Sequence, residues 1–172
     1  MKISQPLASE YNPFYGGYIE KIGDQDVIKV LNSQLSDLES LFSGLSEETL
    51  SYAYGEGKWT VVEVLGHMVD VERIMSYRLL RFCRGDKTAL PGFEENDYVI
   101  SGEFTSSMKD SLVDEFSHLR KANLKLIGRM EEHHMTLTGE SNGSSTSVRA
   151  LIYILAGHLQ HHMGILVERY KL

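Results

Sequence analysis

Residues 147–170 read SVRALIYILAGHLQHHMGILVERY, a stretch that combines a helical apolar pattern with a pair of histidines. Its apolar residues recur at helical spacing, and no proline interrupts them. His158 and His162 stand four residues apart, about 40° around a helix, so both imidazoles reach one point. Such a pair commonly supplies two nitrogen ligands to a metal ion. His161 lies three residues from His158, and spacing alone does not choose between His161 and His162.

A second stretch, TVVEVLGHMVDVERIMSYRLLRF at residues 60–82, predicts another long helix, which carries a candidate third ligand. Thr60 and Glu63 form a T-x-x-E capping box at its start. His67 is the only other histidine inside a strongly apolar helical pattern. A glycine precedes both His67 and His158. Because glycine inside a helix costs about 1 kcal/mol relative to alanine, we interpret both glycines as signs of close helix approach around a shared site.

Two simpler interpretations of these residues stay open at this point. A histidine in an apolar helix is often only a core residue with a hydrogen-bond partner. Glu63 lies one turn before His67 and is a candidate ligand, although its capping-box role explains it more simply. Asp70, three residues after His67, is a candidate for a carboxylate that hydrogen-bonds a ligand histidine, and a solvated charge explains it equally well.

Two further long helices are predicted by periodicity, over about residues 24–42 and 107–130, with a short helix from Ser46 between the first two. Four long helices without a good strand pattern predict an all-α, four-helix bundle. Residues 1–22 are expected to form an irregular aromatic arm, and residues 139–147 a mobile link.

Residues 85–105 are predicted to form a long loop, because their periodicity is weak. Loops of that length are uncommon in compact domains and often act as lids or site walls. We therefore expect Phe93, Asp97 and Tyr98 to approach the mouth of the metal site.

The composition bounds the class of protein. A chain of 172 residues with 42% apolar residues suits one domain over 1–172. The formal net charge of −7 disfavours nucleic acid and anionic membranes as partners. We find no run of about 18 apolar residues and no apolar signal region at the start. Cys83 is the only cysteine, so no internal disulfide is expected. These features together predict a cytoplasmic protein.

Residues 57–99 and 147–170 resemble the second helix, its following loop and the last helix of the DinB-like, or YfiT-like, superfamily of metal-binding proteins. The segment EYNPFYGGYI resembles the arm of one subgroup. The resemblance implies an antiparallel four-helix bundle with unusual connections, frequently dimeric. It also implies a metal triad of one histidine on helix two and an H-x-x-x-H pair on the last helix. Here these are His67, His158 and His162, which leaves His161 without an assigned role.

The resemblance leaves the reaction open, because family members include thiol-dependent S-transferases, a mycothiol-dependent isomerase and metal-dependent hydrolases. Our first hypothesis is a divalent ion, zinc or nickel, that activates a low-molecular-weight thiol. Arg78, Arg81 and Arg84 form an i, i+3 row that would bind an anionic thiol, although a solvated row at a helix end explains them too.

Two other functions compete with the thiol hypothesis. The ion would activate water in a metal-dependent hydrolase, with a general base among Glu94, Glu95 and Asp97. Alternatively, the chain is a non-enzymatic metal-binding stress protein. In the two enzymatic cases a small molecule is the expected partner.

Overall fold

Four long helices form the framework of the structure, a computed structural model that describes residues 2–172. Three shorter helices and one β-hairpin connect or cover them. In chain order the helices are α1 Gly16–Ile22, α2 Val27–Phe42, α3 Glu47–Leu50, α4 Val61–Cys83, α5 Glu95–Gly102, α6 Lys109–Ile127 and α7 Val148–Arg169, and the strands are β1 Thr138–Ser141 and β2 Ser144–Ser147. The predicted all-α four-helix bundle is confirmed.

Side-chain caps mark where three of the four long helices begin. The Asp26 carboxylate accepts hydrogen bonds from the first backbone N–H groups of α2, and Ser147 caps α7 in the same way. Thr60 and Glu63 form the predicted capping box, in which the Thr60 N–H donates to the Glu63 carboxylate over 2.6 Å. These side chains satisfy backbone donors that have no partner within the helix.

Helices α4 and α7 run in opposite directions. His67, near the start of α4, faces His158 in the middle of α7. Met75 lies two turns further along α4 and shares a cavity with Ile154, which precedes His158 on α7. The antiparallel packing therefore aligns one continuous face of α4 with the histidine face of α7.

Helices α4 and α6 run in the same direction, and this explains the long connection between them. Glu72 pairs with Arg120, and one turn further along Ser76 accepts a hydrogen bond from Asn123. The chain must return along the whole length of α4, about 34 Å for its 23 residues, before α6 begins. Residues 84–108 make that crossover.

A layer of buried polar side chains divides the apolar interior into two clusters. On each long helix, one segment packs in the first cluster and another in the second. The buried polar residues at or beside the boundary between these segments are Gln34 on α2, Glu72 on α4, Arg120 and Asn123 on α6, and His158 on α7. The layer therefore crosses all four helices at the level of the predicted metal site.

Three predicted irregular segments contain regular structure. The arm of residues 1–22 includes α1, and the long connection includes α5. The prediction of a mobile link over 139–147 is wrong, because β1 and β2 pair there as an antiparallel hairpin. Asn142 and Gly143 form its turn with φ of 50° and 70°. Asn-Gly is a favoured pair for such two-residue turns, since both positions need positive φ.

Helix α7 is unusually apolar. Its most apolar window has a mean hydropathy of 1.3, so length and composition alone would allow a membrane span. However, 67% of that window is buried inside the protein. Its apolar side chains therefore serve the core of the bundle.

Candidate metal centre

Three imidazoles meet at one point between α4 and α7. The Nε2 atom of His67 lies 3.1 Å from Nε2 of His158 and 3.2 Å from Nε2 of His162. A neutral imidazole carries at most one proton on that nitrogen, so hydrogen bonding cannot explain both contacts at once. Nitrogen ligands around a tetrahedral zinc ion lie about 3.3 Å apart, given metal–nitrogen distances of about 2.0–2.1 Å. The donor set and its spacing therefore fit an ion of this kind.

Burial keeps these imidazoles uncharged. It is the main cause that lowers the pKa of His67 to about 4 and that of His162 to about 3, with neighbouring histidines adding to the effect. The pKa of His158 is lowered well below its ordinary value by burial, by the other histidines and by the Arg120 guanidinium. Only neutral imidazole ligates a metal ion, so the three side chains are ready to bind at neutral pH.

The metal-free protein is expected to lose stability below about pH 6.5. Histidines in the unfolded chain bind protons near that pH, whereas the buried ones stay neutral. The unfolded state thus takes up more protons, and the free energy of unfolding falls by about 1.4 kcal/mol per pH unit for each such histidine. The loss ends as the folded histidines charge, at a pKa of about 4 for His67 and about 3 for His162.

Urea unfolding in EDTA at a series of pH values measures this slope. Replacing His67 with leucine removes one titrating site. The slope of the free energy of unfolding against pH should then correspond to the uptake of about one proton fewer on unfolding. Replacing the exposed His118 with alanine should leave it unchanged. An equal slope in wild type and in the His67→Leu variant would contradict the prediction.

The glycines beside the histidines both lie at close contacts with other segments of the chain. A Cβ atom on Gly157 would lie 2.1 Å from the carbonyl oxygen of Tyr18, in the arm helix α1. A Cβ atom on Gly66 would lie 2.5 Å from the ring of Phe104, at the end of the crossover. At Gly157 the predicted close helix approach is that of α1 onto α7, whereas at Gly66 a side chain of the crossover approaches α4. Each glycine therefore gives room to a segment that packs beside a predicted ligand helix.

Replacing Gly157 with alanine is expected to lower the free energy of unfolding by about 1–3 kcal/mol, as forced overpacking does. The obstacle is the Tyr18 backbone, which cannot rotate away as a side chain would. Gly164 on the same helix is the matched control, because nothing lies within 4 Å of its Cβ position. Gly164→Ala should be neutral or stabilising by up to about 1 kcal/mol. Thermal unfolding compares the two, and equal stabilities would contradict the assigned role of Gly157.

Two separate cavities reach the histidines. The first, of about 260 Å³, lies between the arm and the crossover and touches His158. The second, of about 240 Å³, touches His162 beside Trp59. Glu95 lines the first cavity and Asn96 the second, so the start of α5 lies between the two.

The predicted neighbours of the site fall into two groups. Arg78 and Phe93 line the first cavity together with His158. Asp70 and Asp97 line a different cavity beside Phe104, and Tyr98 borders that cavity too. The Tyr98 ring nevertheless contacts the Phe93 ring, with centroids 5.2 Å apart. Burial and the Glu115 carboxylate raise the pKa of Asp70.

Three other side chains considered in the sequence analysis make contacts outside the group of converging histidine nitrogens. The Glu63 carboxylate is hydrogen-bonded to both the N–H and the hydroxyl of Thr60, as a cap rather than a ligand. Cys83 is buried, and its thiol contacts the Leu80 carbonyl oxygen. His161 packs its ring against Tyr18, with centroids 5.3 Å apart.

Two aromatic residues at the site were not predicted. The Tyr18 ring meets the His158 ring edge-on, with centroids 5.5 Å apart. The centroids of the Trp59 and His67 rings lie 4.8 Å apart. Trp59 directly precedes the Thr60 cap of the helix that carries His67, a position where apolar residues often pack back onto the helix. That signal was available in the sequence, whereas the docking of Tyr18 depends on tertiary packing.

The fold and the site define a class: a four-helix bundle in which three buried, neutral histidines from two helices meet beside open cavities. The chain belongs to the DinB superfamily, whose sequence model matches residues 31–166.

Similar proteins agree with this assignment. A protein of Oceanobacillus iheyensis, named provisionally as a metal-dependent hydrolase, is 23% identical over 84% of this chain and 86% of its own length. A protein of Geobacillus kaustophilus with the same provisional name is 26% identical over 80% of this chain and 79% of its own.

Two solved structures share the fold. YfiT from Bacillus subtilis, described as "a probable metal-dependent hydrolase with an unusual four-helix bundle topology", superposes with a TM-score of 0.75 and 15% identity. The match covers 98% of this chain and 92% of YfiT. The mycothiol-dependent maleylpyruvate isomerase superposes with a TM-score of 0.62 and 14% identity, over 80% of this chain and 58% of the isomerase.

Proposed function

We propose that this protein is a metal-dependent enzyme in which His67, His158 and His162 hold one divalent ion, zinc or nickel. The observation that carries the proposal is the convergence of three neutral Nε2 atoms beside a cavity that a small molecule can enter. Three neutral ligands leave the ion its full positive charge and an open position, which is the arrangement of catalytic rather than structural sites.

When bound, such an ion acts as a Lewis acid and lowers the pKa of a coordinated thiol or water. The side chains of this protein would shape and charge the cavity beside the ion. Tyr18 and Phe93 contribute aromatic rings to the wall of the first cavity. Arg78 contributes a positive charge to the same cavity.

A thiol-dependent transfer is the reaction that the geometry favours. Within residues 2–172, the group of candidate ligands around the three histidines contains no carboxylate, so a general base would have to come from the cavity wall. A coordinated thiol needs no general base once its pKa is lowered, whereas water attack benefits from one. The Arg78 cation would also suit an anionic low-molecular-weight thiol.

Hydrolysis is the second candidate, and Glu95 favours it. This residue lines the cavity that reaches His158, and burial together with the Glu94 carboxylate raises its pKa. A carboxylate with a raised pKa is suited to proton transfer near neutral pH. The provisional names of the Oceanobacillus and Geobacillus relatives support the same reaction class.

A paired assay tests the proposal on zinc-loaded and nickel-loaded protein. One panel offers physiological thiols with an electrophilic acceptor, and the other offers esters and amides. Thiol conjugation that survives Glu95→Gln would support the transferase, whereas ester or amide turnover that Glu95→Gln abolishes would support the hydrolase. Loaded protein that turns over nothing in either panel would contradict the enzyme proposal and favour a metal-binding stress protein.

We further propose that residues 1–172 form one domain of a cytoplasmic homodimer, without nucleic acid or membrane partners. The Glu10–Arg149 ion pair, which ties the arm to α7, supports the single domain. The dimer rests on the resemblance to the family, and sedimentation velocity tests it.

A further inference from the structure

We propose that Arg78 binds a carboxylate group of the substrate at the end of the first cavity away from the metal centre. The inference rests on the proposed metal centre, which would bind the other end of the same molecule. It defines the substrate class as an elongated monoanion with a metal-binding head.

Arg78 is a buried cation that lacks a carboxylate partner. Its side chain is 3% exposed. One guanidinium nitrogen donates to the Pro91 carbonyl oxygen over 3.0 Å, and another lies 3.8 Å from the Met75 sulfur. Among residues 2–172, no carboxylate oxygen lies within ion-pairing distance of it, although the other buried arginine, Arg120, is paired with Glu72. Since buried arginines are almost always paired, the remaining N–H donors of Arg78 are available to a ligand.

The surroundings of Arg78 favour a carboxylate over a more highly charged anion. The Phe93 ring lies 6.0 Å from the guanidinium, and Glu94 and Glu95 line the same cavity. A phosphate dianion would meet those two carboxylates with only one cation to bind it. A carboxylate matches the planar fork of one guanidinium and can accept two parallel hydrogen bonds from it.

The position of Arg78 on α4 sets the length of the substrate. Arg78 follows His67 by eleven residues, which places both on one helix face about 16 Å apart along the axis. Helical side chains lean toward the N-terminus, so the guanidinium extends back toward the histidines. Val71, Met75 and Ile154 line the cavity between the two ends. A molecule that fits therefore has an apolar middle section between its head and its carboxylate.

A series of ω-carboxyalkyl hydroxamic acids tests this inference with zinc-loaded protein. The hydroxamate supplies the metal-binding head whatever the natural reaction is, and matched ω-hydroxyalkyl hydroxamic acids lack the negative charge. Calorimetry should show that the carboxylate compound binds about ten- to a hundredfold more tightly than its matched alcohol, at the best chain length. Arg78→Met should abolish that preference while leaving the affinity for the alcohol within about twofold.

A control variant and the wild-type comparison distinguish failure of the Arg78 role from failure of the metal centre. Arg84→Met removes an equal charge from an exposed position near the end of the same helix and should keep the preference. If the alcohols bind and wild type shows no preference at any chain length, the role of Arg78 is refuted while the metal centre stands. If neither compound binds in a zinc-dependent way, the metal centre itself fails. The wild-type comparison needs no variant, so misfolding of Arg78→Met would not obscure the result.

Discussion

Zinc affinity is expected to fall by well over a hundredfold when His67 is replaced with alanine. The Nε2 atom of His67 is the one that contacts both His158 and His162, and α4 provides no other ligand in the group. Loss of a side chain that only supports a ligand already costs about 10- to 100-fold, so loss of the ligand itself should cost more. Wild type should bind about one ion per chain, measured by competition with a chromophoric chelator and by elemental analysis of the untagged protein.

His161→Ala is the matched control for this experiment. Its ring lies beside His162, with centroids 5.0 Å apart, yet it is outside the group of converging nitrogens. This variant should bind zinc within a few-fold of wild type, whereas His158→Ala and His162→Ala should bind it weakly. A triple variant of His67, His158 and His162 that retained wild-type affinity would overturn the assigned site.

The helices and the three converging histidines were predictable because both depend on local spacing. The i, i+4 relation between His158 and His162 holds wherever α7 packs, and the cap at Thr60 defines the start of α4. Spacing did not choose between His161 and His162, and the choice came from resemblance to the family. The structure supplies the physical criterion, since the His162 ring is directed at His67 and the His161 ring at Tyr18.

Features that depend on contacts distant in sequence were not predicted. The strands of the hairpin carry Ser and Thr instead of alternating apolar residues, so only the Asn142-Gly143 turn indicated them. Glu72 and Arg120 are 48 positions apart and resemble ordinary surface charges in their helical patterns. Only the packing of α4 against α6 shows that they share a buried site.

The Arg120 guanidinium connects all four long helices. It donates to both carboxylate oxygens of Glu72 over 2.8 and 3.0 Å and to the Gln34 side chain over 2.7 Å. A longer contact of 3.5 Å reaches the Leu155 carbonyl oxygen on α7, three residues before His158. The residue is fully buried, so its partners have no access to water if it is removed.

Replacing Arg120 with methionine is therefore expected to lower the free energy of unfolding by about 3–5 kcal/mol, because the Glu72 carboxylate remains buried without its cation. The midpoint of thermal unfolding should fall by roughly 10 °C for a chain of this size. Arg73→Met is the matched control. Arg73 is adjacent to Glu72 and pairs with Glu115 across the same two helices over 2.7 Å, but its side chain is 56% exposed.

Loss of the exposed Arg73–Glu115 pair should lower the free energy of unfolding by less than about 1 kcal/mol. The double variant Glu72→Met with Arg120→Met should be more stable than Arg120→Met alone, since no unpaired charge is left in the core. Urea and thermal unfolding of the apo proteins measure these differences without interference from the metal. If Arg120→Met cost no more stability than Arg73→Met, the polar layer would not stabilise the bundle.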